Sequence, residues 1–327
     1  MIWGFIPPFF LRRACIVKLL VTGATGFIGR ALCSRLVAEG SSLTALSRSG
    51  VQVSSDIASL PVDLTTGLPD RKLLEGVDTI IHLAGIAHRK ADTEAYEALN
   101  HEATVRLARL AADEGVKRFV YLSSVKAMGE SIDDTRRAEN NCTPPIEPYG
   151  LSKWRAERGL HEVCADRGIS VIIIRPTLVY GPGVKGNLQV LLGAIRKGLP
   201  RPPVAGKRSM IALDDLVALL QRVASHAPDG LHTWIACGDK DYSTRAIYDL
   251  MREAQGLGQG RGWLPDWAWQ VGAVVMDVFA RRPLGTTRAQ LFCGDRYTNG
   301  AVRAAMDWAP SRSLEQLARR IVSEGET

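Results

Sequence analysis

Apolar positions along this chain fall into short continuous runs that alternate with stripes at helical spacing. Lys18–Val21 ends in a glycine-rich turn and predicts a buried strand. From Phe27 to Glu39, Ile28, Leu32, Leu36 and Val37 recur at helical spacing, and Gly40 marks the stop. Leu43–Leu46 predicts a second strand, Asp78–Leu83 another, and Ala95–Glu114 a long helix closed by Gly115. Arg118–Leu122 reads as a strand ended by Ser123-Ser124, and Tyr149–Arg167 as a helix ended by Gly168. Val171–Ile174 is a continuous β-branched run of the kind buried on both faces in parallel sheets. Strand and helix alternating in this order predict an α/β fold with a doubly wound parallel sheet.

The rhythm changes after Arg175-Pro176. Pro182, Gly183, Gly186, Pro200, Pro202 and Pro203 break the next stretch, and helical patterns dominate beyond it. The expected division is an extension over 1–16, a first domain over 17–176, and a smaller, mostly helical C-terminal domain over 177–327. Within the last, about 208–238 is expected to return to the sheet. Trp263–Phe279 is the most apolar segment of that half. It is too short to cross a bilayer and contains Asp266 and Asp277. Core packing, or a lid over a binding site, is its expected role; contact with a membrane interface is the alternative. In the first 16 residues Arg12-Arg13 follow the apolar stretch instead of preceding it, and Pro7-Pro8 interrupts any helix. Either this is a peripheral tail or the start codon is placed too early; the second is the preferred expectation.

Composition narrows the class. The 327 residues are 46% hydrophobic and 23% charged, enough for a normal core. A net charge of +7 suits anionic ligands. The basic residues are scattered, with no run beyond pairs such as Arg281-Arg282, which argues against nucleic acid as a partner. The six cysteines show no Cys-x-x-Cys pair or metal-ligand spacing, so no metal is expected and a reducing, cytoplasmic setting is.

Chemistry enters at two places. Gly23, Gly26 and Gly29 lie between a strand and a helix, the setting in which a backbone can approach a pyrophosphate and a helix N-terminus can face it. At the end of the second strand the chain reads Leu46-Ser47-Arg48, without the acidic residue that would hold the 2′-hydroxyl of NAD. Ser47 and Arg48 therefore favour NADP(H), with Arg30 as a helper, while NAD(H) stays open; Arg48 also fits a plain solvated loop charge. Asp63 is either an acceptor for the adenine amino group or a turn residue. The second place is Ser124, 25 residues before Tyr149, with Lys153 four residues beyond Tyr149 on the same helix face. A nearby ammonium lowers the pKa of a phenol so that it can exchange a proton, and a hydroxyl can orient the same substrate oxygen.

The sequence resembles the extended short-chain dehydrogenase/reductases, within them the NAD-dependent epimerase/dehydratase group that acts on nucleotide sugars. The resemblance runs from about Val17 to the C-terminus. It rests on Thr22–Gly29, Asp78–Gly85, Asn100, Tyr121–Ser124, Tyr149–Lys153, Arg175–Gly183, Arg208–Asp215 and Met306–Pro310, the last with Asp307 where relatives carry Gly. It implies a Rossmann-like domain. The cofactor would lie against Gly23, Thr25, Gly26, Phe27, Ile28, Leu64, Leu83, Ala84, Gly85, Asn100, Pro176, Tyr149 and Lys153. It further implies that Ser124, Lys126, Asn187, Arg208 and Arg288 contact substrate, the two arginines converging on a diphosphate. A dimer built on helices of the first domain is also a family expectation.

One departure matters. The family's 4,6-dehydratases carry Asp-Glu directly after the catalytic Ser/Thr, and here those positions are Val125 and Lys126. Valine has no proton to give and lysine has the wrong charge, which argues against dehydration. The Ser-x-Lys-x-x-Gly-Glu stretch from Ser124 to Glu130 is closer to epimerase and 4-ketoreductase relatives of bacterial surface-polysaccharide synthesis. Two functions stay open. One is NADPH-dependent reduction of a nucleotide 4-keto sugar, which Ser47-Arg48 favours. The other is 4-epimerisation of a UDP-sugar with retained NAD. A reductase of a non-nucleotide ketone and a non-catalytic dinucleotide sensor rank below both.

Overall fold

The structure, a computed structural model, describes residues 17–87, 91–131, 134–184, 187–262, 264–279, 284–285, 287–288 and 292–324. Its centre is a seven-stranded, all-parallel sheet. In chain order the strands are β1 (Lys18–Thr22), β2 (Ser42–Ser47), β3 (Leu60–Pro61), β4 (Thr79–His82), β5 (Arg118–Leu122), β6 (Ser170–Pro176) and, after two strands outside this sheet, β9 (Leu231–Ala236). Their spatial order is β3-β2-β1-β4-β5-β6-β9. The order reverses between β1 and β4, which opens a crevice at their C-terminal ends, as in doubly wound dinucleotide folds.

Side chains alternate between two cores. Leu19 and Val21 of β1, with Ile172 and Ile174 of β6, pack on one face against α1 (Phe27–Ala38) and the later helix α6 (Leu213–His226). Leu20, Val171 and Ile173 face the other side with α3 (Ala103–Asp113) and α4 (Pro148–Arg167). Both faces of the sheet are thus covered, and this is why its strands read as unbroken apolar runs and not as alternating ones.

The predicted long helix Ala95–Glu114 is present but is not α-helical throughout. A short helix α2 (Thr93–Tyr96) leads into a π-helical stretch at Glu97–Glu102, and only then does α3 begin. The extra residue in that turn carries Asn100, which is fully buried. Periodicity at 3.6 residues cannot register a one-residue bulge, and such bulges collect at functional sites.

Beyond β6 the chain also builds β7 (Leu178–Tyr180), α5 (Asn187–Arg196), β8 (Arg208–Ala212), β10 (Asp241–Tyr242) and α7 (Thr244–Ala254). The strands β10-β8-β7 form a second, three-stranded sheet. Two- and three-residue strands leave no periodic trace, so the mostly helical expectation passed over them. Tyr180, Leu192, Tyr248 and Met251 build this lobe's own core with α10 (Leu314–Glu324), which follows α9 (Gly300–Met306).

The apolar segment expected to pack in the core does not. Trp263 lies outside the described residues. The rest forms α8 (Asp266–Phe279), in which only Ala273 and Asp277 are buried. Among the described residues no helix is long and apolar enough to cross a membrane.

Candidate active site

The glycine turn sits at the crevice between β1 and β4. Gly23 has φ of +68°, and a Cβ there would stand 2.7 Å from the Ala84 amide nitrogen. A Cβ on Gly29 would run into the Gly23 carbonyl. Gly23 is therefore required by conformation and by space, and Gly29, inside the helix, by space alone. Helix α1 starts at Phe27 and Ile28 with no side-chain cap from Gly26 and no acidic residue in its first turn. Its first N–H groups and its dipole suit an anion, and the residues fit the pyrophosphate of a dinucleotide. Arg30 is engaged elsewhere: its guanidinium donates to the Thr25, Gln52 and Val53 carbonyls and braces the turn against the loop after β2.

At the end of β2 the two residues expected to select the cofactor part ways. Ser47 is buried. Its hydroxyl bonds Ser59 Oγ at 2.7 Å and accepts the Gly50 amide at 3.0 Å, so it holds the loop together. Arg48 is exposed. Asp63 accepts from the Thr65 hydroxyl at 2.6 Å and its amide at 3.0 Å, an Asx-type turn. Those bonds, with Arg48 nearby, hold its carboxyl below the usual range. Leu64 is buried beside it.

A buried polar chain fixes the crevice from behind. His82 bonds Thr22 Oγ1 at 2.6 Å through Nδ1 and Thr104 Oγ1 at 3.0 Å through Nε2. Thr104 donates to the Asn100 carbonyl at 2.8 Å, so it must accept from His82, and Nε2 carries the proton. Thr22 in turn donates to Nδ1 and accepts the Ala84 amide at 3.3 Å. Burial, with the Lys153 charge adding to it, pushes the His82 pKa down to about 3, so the ring is neutral. Asn100 completes the wall: its Oδ1 accepts from Ile86 N at 2.8 Å, and its Nδ2 donates to Ile86 O and Ser152 Oγ, both at 3.1 Å.

Ser124 follows β5, and Tyr149 and Lys153 project from the first turns of α4. The structure joins Ser124 to Tyr149 and places Lys153 one turn further along the same helix. Ser124 hydrogen-bonds the Tyr149 phenol and accepts the Lys126 amide at 3.2 Å. Lys153 is buried; its Nζ donates to Leu122 O at 2.9 Å and lies 4.7 Å from the Tyr121 ring centroid. A Cβ on Gly85 would stand 3.3 Å from that Nζ. The strand end that touches the glycine turn through Leu83 and Ala84 therefore approaches Lys153 through Gly85.

One expectation needs correction. The phenol is not lowered by its lysine: burial holds Tyr149 above its ordinary value, opposed by the Ser124 hydrogen bond. Lys153 is the depressed group, pushed by burial to about 8, with Glu157 pulling it back up. Glu157 escaped the sequence reading altogether. It lies four residues after Lys153, fully inside, accepting Ser123 Oγ at 2.5 Å and Arg175 Nε and Nη2 at 3.0 and 2.6 Å. An acid one turn beyond Lys153 was the available signal.

The expected substrate residues are only partly gathered. Lys126 pairs with Asp295 at 3.2 Å. Arg208 stands in β8 directly beside Asp295, which offsets part of the burial that lowers its guanidinium pKa. Asp295 thus pairs with Lys126 and lies near Arg208, whose guanidinium donates to Thr244 Oγ1 at 3.4 Å. Arg288 is exposed, and among the described residues nothing joins it to Arg208. Asn187 opens α5, and its side chain lies outside the described residues. Pro176 ends β6 opposite Ala236.

An uncapped helix end at a sheet's switch point, joined to a Ser-Tyr-Lys group, defines a dinucleotide-dependent enzyme of the doubly wound class. The profile of the NAD dependent epimerase/dehydratase family matches residues 19–236, and the chain belongs to that family. A UDP-glucose 4-epimerase from Vibrio cholerae is 33% identical over 247 residues, 72% of this chain and 74% of that protein. The N-acetyl-alpha-D-glucosaminyl-diphospho-ditrans,octacis-undecaprenol 4-epimerase of Escherichia coli O157:H7 is 30% identical over 185 residues, 55% of this chain and about half (54%) of its own length. In fold, the crystal structure of UDP-glucuronic acid 4-epimerase from Bacillus cereus in complex with NAD superposes with a TM-score of 0.75 at 19% identity, covering 95% of this chain and 99% of that one.

Proposed function

We propose that this enzyme is a 4-epimerase of a diphosphate-linked sugar, a UDP-sugar first, that works with retained NAD. The observation that carries the reading is the contact between the two halves of the site. Gly23 packs on Ala84 and Lys153 approaches Gly85, so one strand end serves both the cofactor turn and the proton machinery. The epimerase relative from Vibrio cholerae supports the same reaction. Val125 is buried and Lys126 is paired with Asp295, which leaves no acid where a dehydratase would need one.

The bound nicotinamide would supply hydride chemistry at C4. The chain's own residues do the rest. Tyr149 takes the proton from the C4 hydroxyl and later returns it, with Ser124 hydrogen-bonded to the same oxygen. Lys153, protonated, stabilises the phenolate. A phenol raised by burial needs that cation more than an exposed one would. Lys126 and Arg208 offer cations for a diphosphate once Asp295 gives way.

A 4-ketoreductase using NADPH is the second reading, favoured by exposed Arg48 at the end of β2. Ser47 no longer supports it, because its hydroxyl is committed to Ser59 and Gly50. The test is to denature the purified protein, identify the nucleotide released, and follow UDP-glucose by NMR with no cofactor added. Released NAD with conversion to the C4 epimer is expected. Release of no NAD, with consumption of NADPH on a nucleotide 4-keto sugar, overturns the epimerase reading.

A further inference from the structure

Helix α8 inverts the usual arrangement of a surface helix. Between Trp267 and Phe279 its only polar side chains are Gln270 and Asp277. Asp277 is fully buried, accepting the Gly285 amide, the Thr287 amide, both at 2.9 Å, and the Thr287 hydroxyl. The carboxylate is turned inward as the anchor of the following loop. Ala273, one turn earlier, is the other buried residue. The opposite side is apolar and exposed: Trp267 69%, Val271 55%, Val275 45%, Val278 61% and Phe279 86%. At 100° per residue the stripe from Val274 round to Phe279 covers about 140° of the helix. An apolar face this wide, with aromatic rings at both ends, is what marks an interaction site and not a scatter of surface residues.

Charge identifies the occupant. From Leu257 to Gln290 the sequence holds four arginines and two aspartates, and one of those aspartates is the buried Asp277. Arg261 before the helix and Arg288 after it are both exposed. Apolar residues on the outer face with cations around them match a bilayer interface that bears anionic phosphates. Pairing of α8 with a second copy of the chain is the competing occupant, and the mass measurement in the test below reads it. We infer that α8 is a membrane-docking element that seats the substrate lobe on an anionic lipid surface.

The inference stands on exposure and charge and is independent of which sugar reaction the enzyme performs. Its test is co-sedimentation of the full chain with vesicles of phosphatidylcholine containing about a quarter phosphatidylglycerol, and with phosphatidylcholine alone. The comparison protein carries Val271→Ser, Val275→Ser and Val278→Ser, and its mass and circular dichroism are measured beside the parent's. The parent should bind the anionic vesicles, bind neutral ones less, and lose affinity on the order of tenfold or more in the triple variant. Both proteins should stay folded with the same mass in solution. Three results overturn the proposal: a parent that stays in the supernatant, a triple variant that still binds because residues elsewhere do the docking, or a parent dimer that the substitutions turn into a monomer.

Discussion

Replacing Glu157 with Gln tests whether the site is held from behind. The substitution keeps the side chain's shape and removes its charge. Three bonds converge on that carboxylate, two from Arg175 and one from Ser123. The side chains of Arg175 and Glu157 are only 8% and 4% exposed. Burial pulls the Arg175 guanidinium down, and the Glu157 bonds more than offset it, leaving it above its usual range. Leaving such a cation unpaired inside a protein costs about 3–5 kcal/mol. With an unfolding entropy of about 2.1 cal/mol/K per residue, a chain of this length has about 0.7 kcal/mol/K, so 4 kcal/mol lowers Tm by about 6 °C. A second consequence is electrostatic. Glu157 raises the Lys153 pKa, which stands at about 8. Without it the ammonium is less favoured, so the alkaline limb of the kcat profile moves to lower pH. Ser123→Ala removes one hydrogen bond to a charged acceptor and should cost about 2 kcal/mol without moving that limb by as much. The joint replacement Glu157→Leu with Arg175→Met should cost clearly less than the sum of its parts, because no lone charge remains. Scanning calorimetry and pH–rate profiles read both effects. A Glu157→Gln protein that melts within about a degree of the parent and keeps the same alkaline limb would refute the reasoning.

Asp307, the C-cap of α9, is the only described non-glycine residue with positive φ, at 44°. Its ion pair with Arg222 is long, 3.8 Å, and fully exposed on the Asp side, so Asp307→Gly should gain about 1 kcal/mol in denaturant titration; a loss would show that the pair matters. His82 is protonated in the unfolded chain near pH 6.5 but in the fold only at about 3. Its contribution is therefore full above 6.5 and is lost as pH falls towards 3, by up to about 1.4 kcal/mol per pH unit, and His82→Gln should flatten that slope. An unchanged slope in that variant would assign acid lability to other groups. Tyr149→Phe should lower kcat about 10²- to 10⁴-fold while nicotinamide binding, read by its absorbance or fluorescence, survives; loss of binding instead would make Tyr149 a cofactor ligand first.

The sheet was legible because it is buried on both faces. Runs such as Val171–Ile174 cannot be mistaken for surface, and their order with the helices between them fixes a doubly wound fold. The glycine turn and the four-residue spacing of Tyr149 and Lys153 are local patterns, whereas the hydrogen bond from Ser124 to Tyr149 is made by the tertiary fold. What local spacing does not contain was missed. The π turn that presents Asn100 differs from a helix by one residue, and β7 and β10 are too short to show a period. The commitments of Ser47 to Ser59 and of Arg30 to three carbonyls are made by tertiary contacts, and they decide how a charge-based cofactor rule applies.

Two buried acids show how much a single carboxylate can decide. Glu157 sits in α4 among residues that spacing alone would give to either face, and it turns inward because Arg175 and Ser123 wait there. It shares the buried face of α4 with Lys153, Ala156, Leu160 and Val163, the face on which Lys153 reaches Leu122 O. Asp277 sits in a helix whose apolar content predicts burial of the other side. It turns inward because the Gly285 and Thr287 donors are there, and the valines face outward as a result. Burying one satisfied carboxylate thus competes with burying several apolar side chains, and in α8 the carboxylate wins. Apolar burial is worth about 25 cal/mol per Å², so exposing such a stripe in water is costly. The arrangement is coherent where the outer face meets a second apolar phase, and that is the physical ground for placing α8 at a lipid surface.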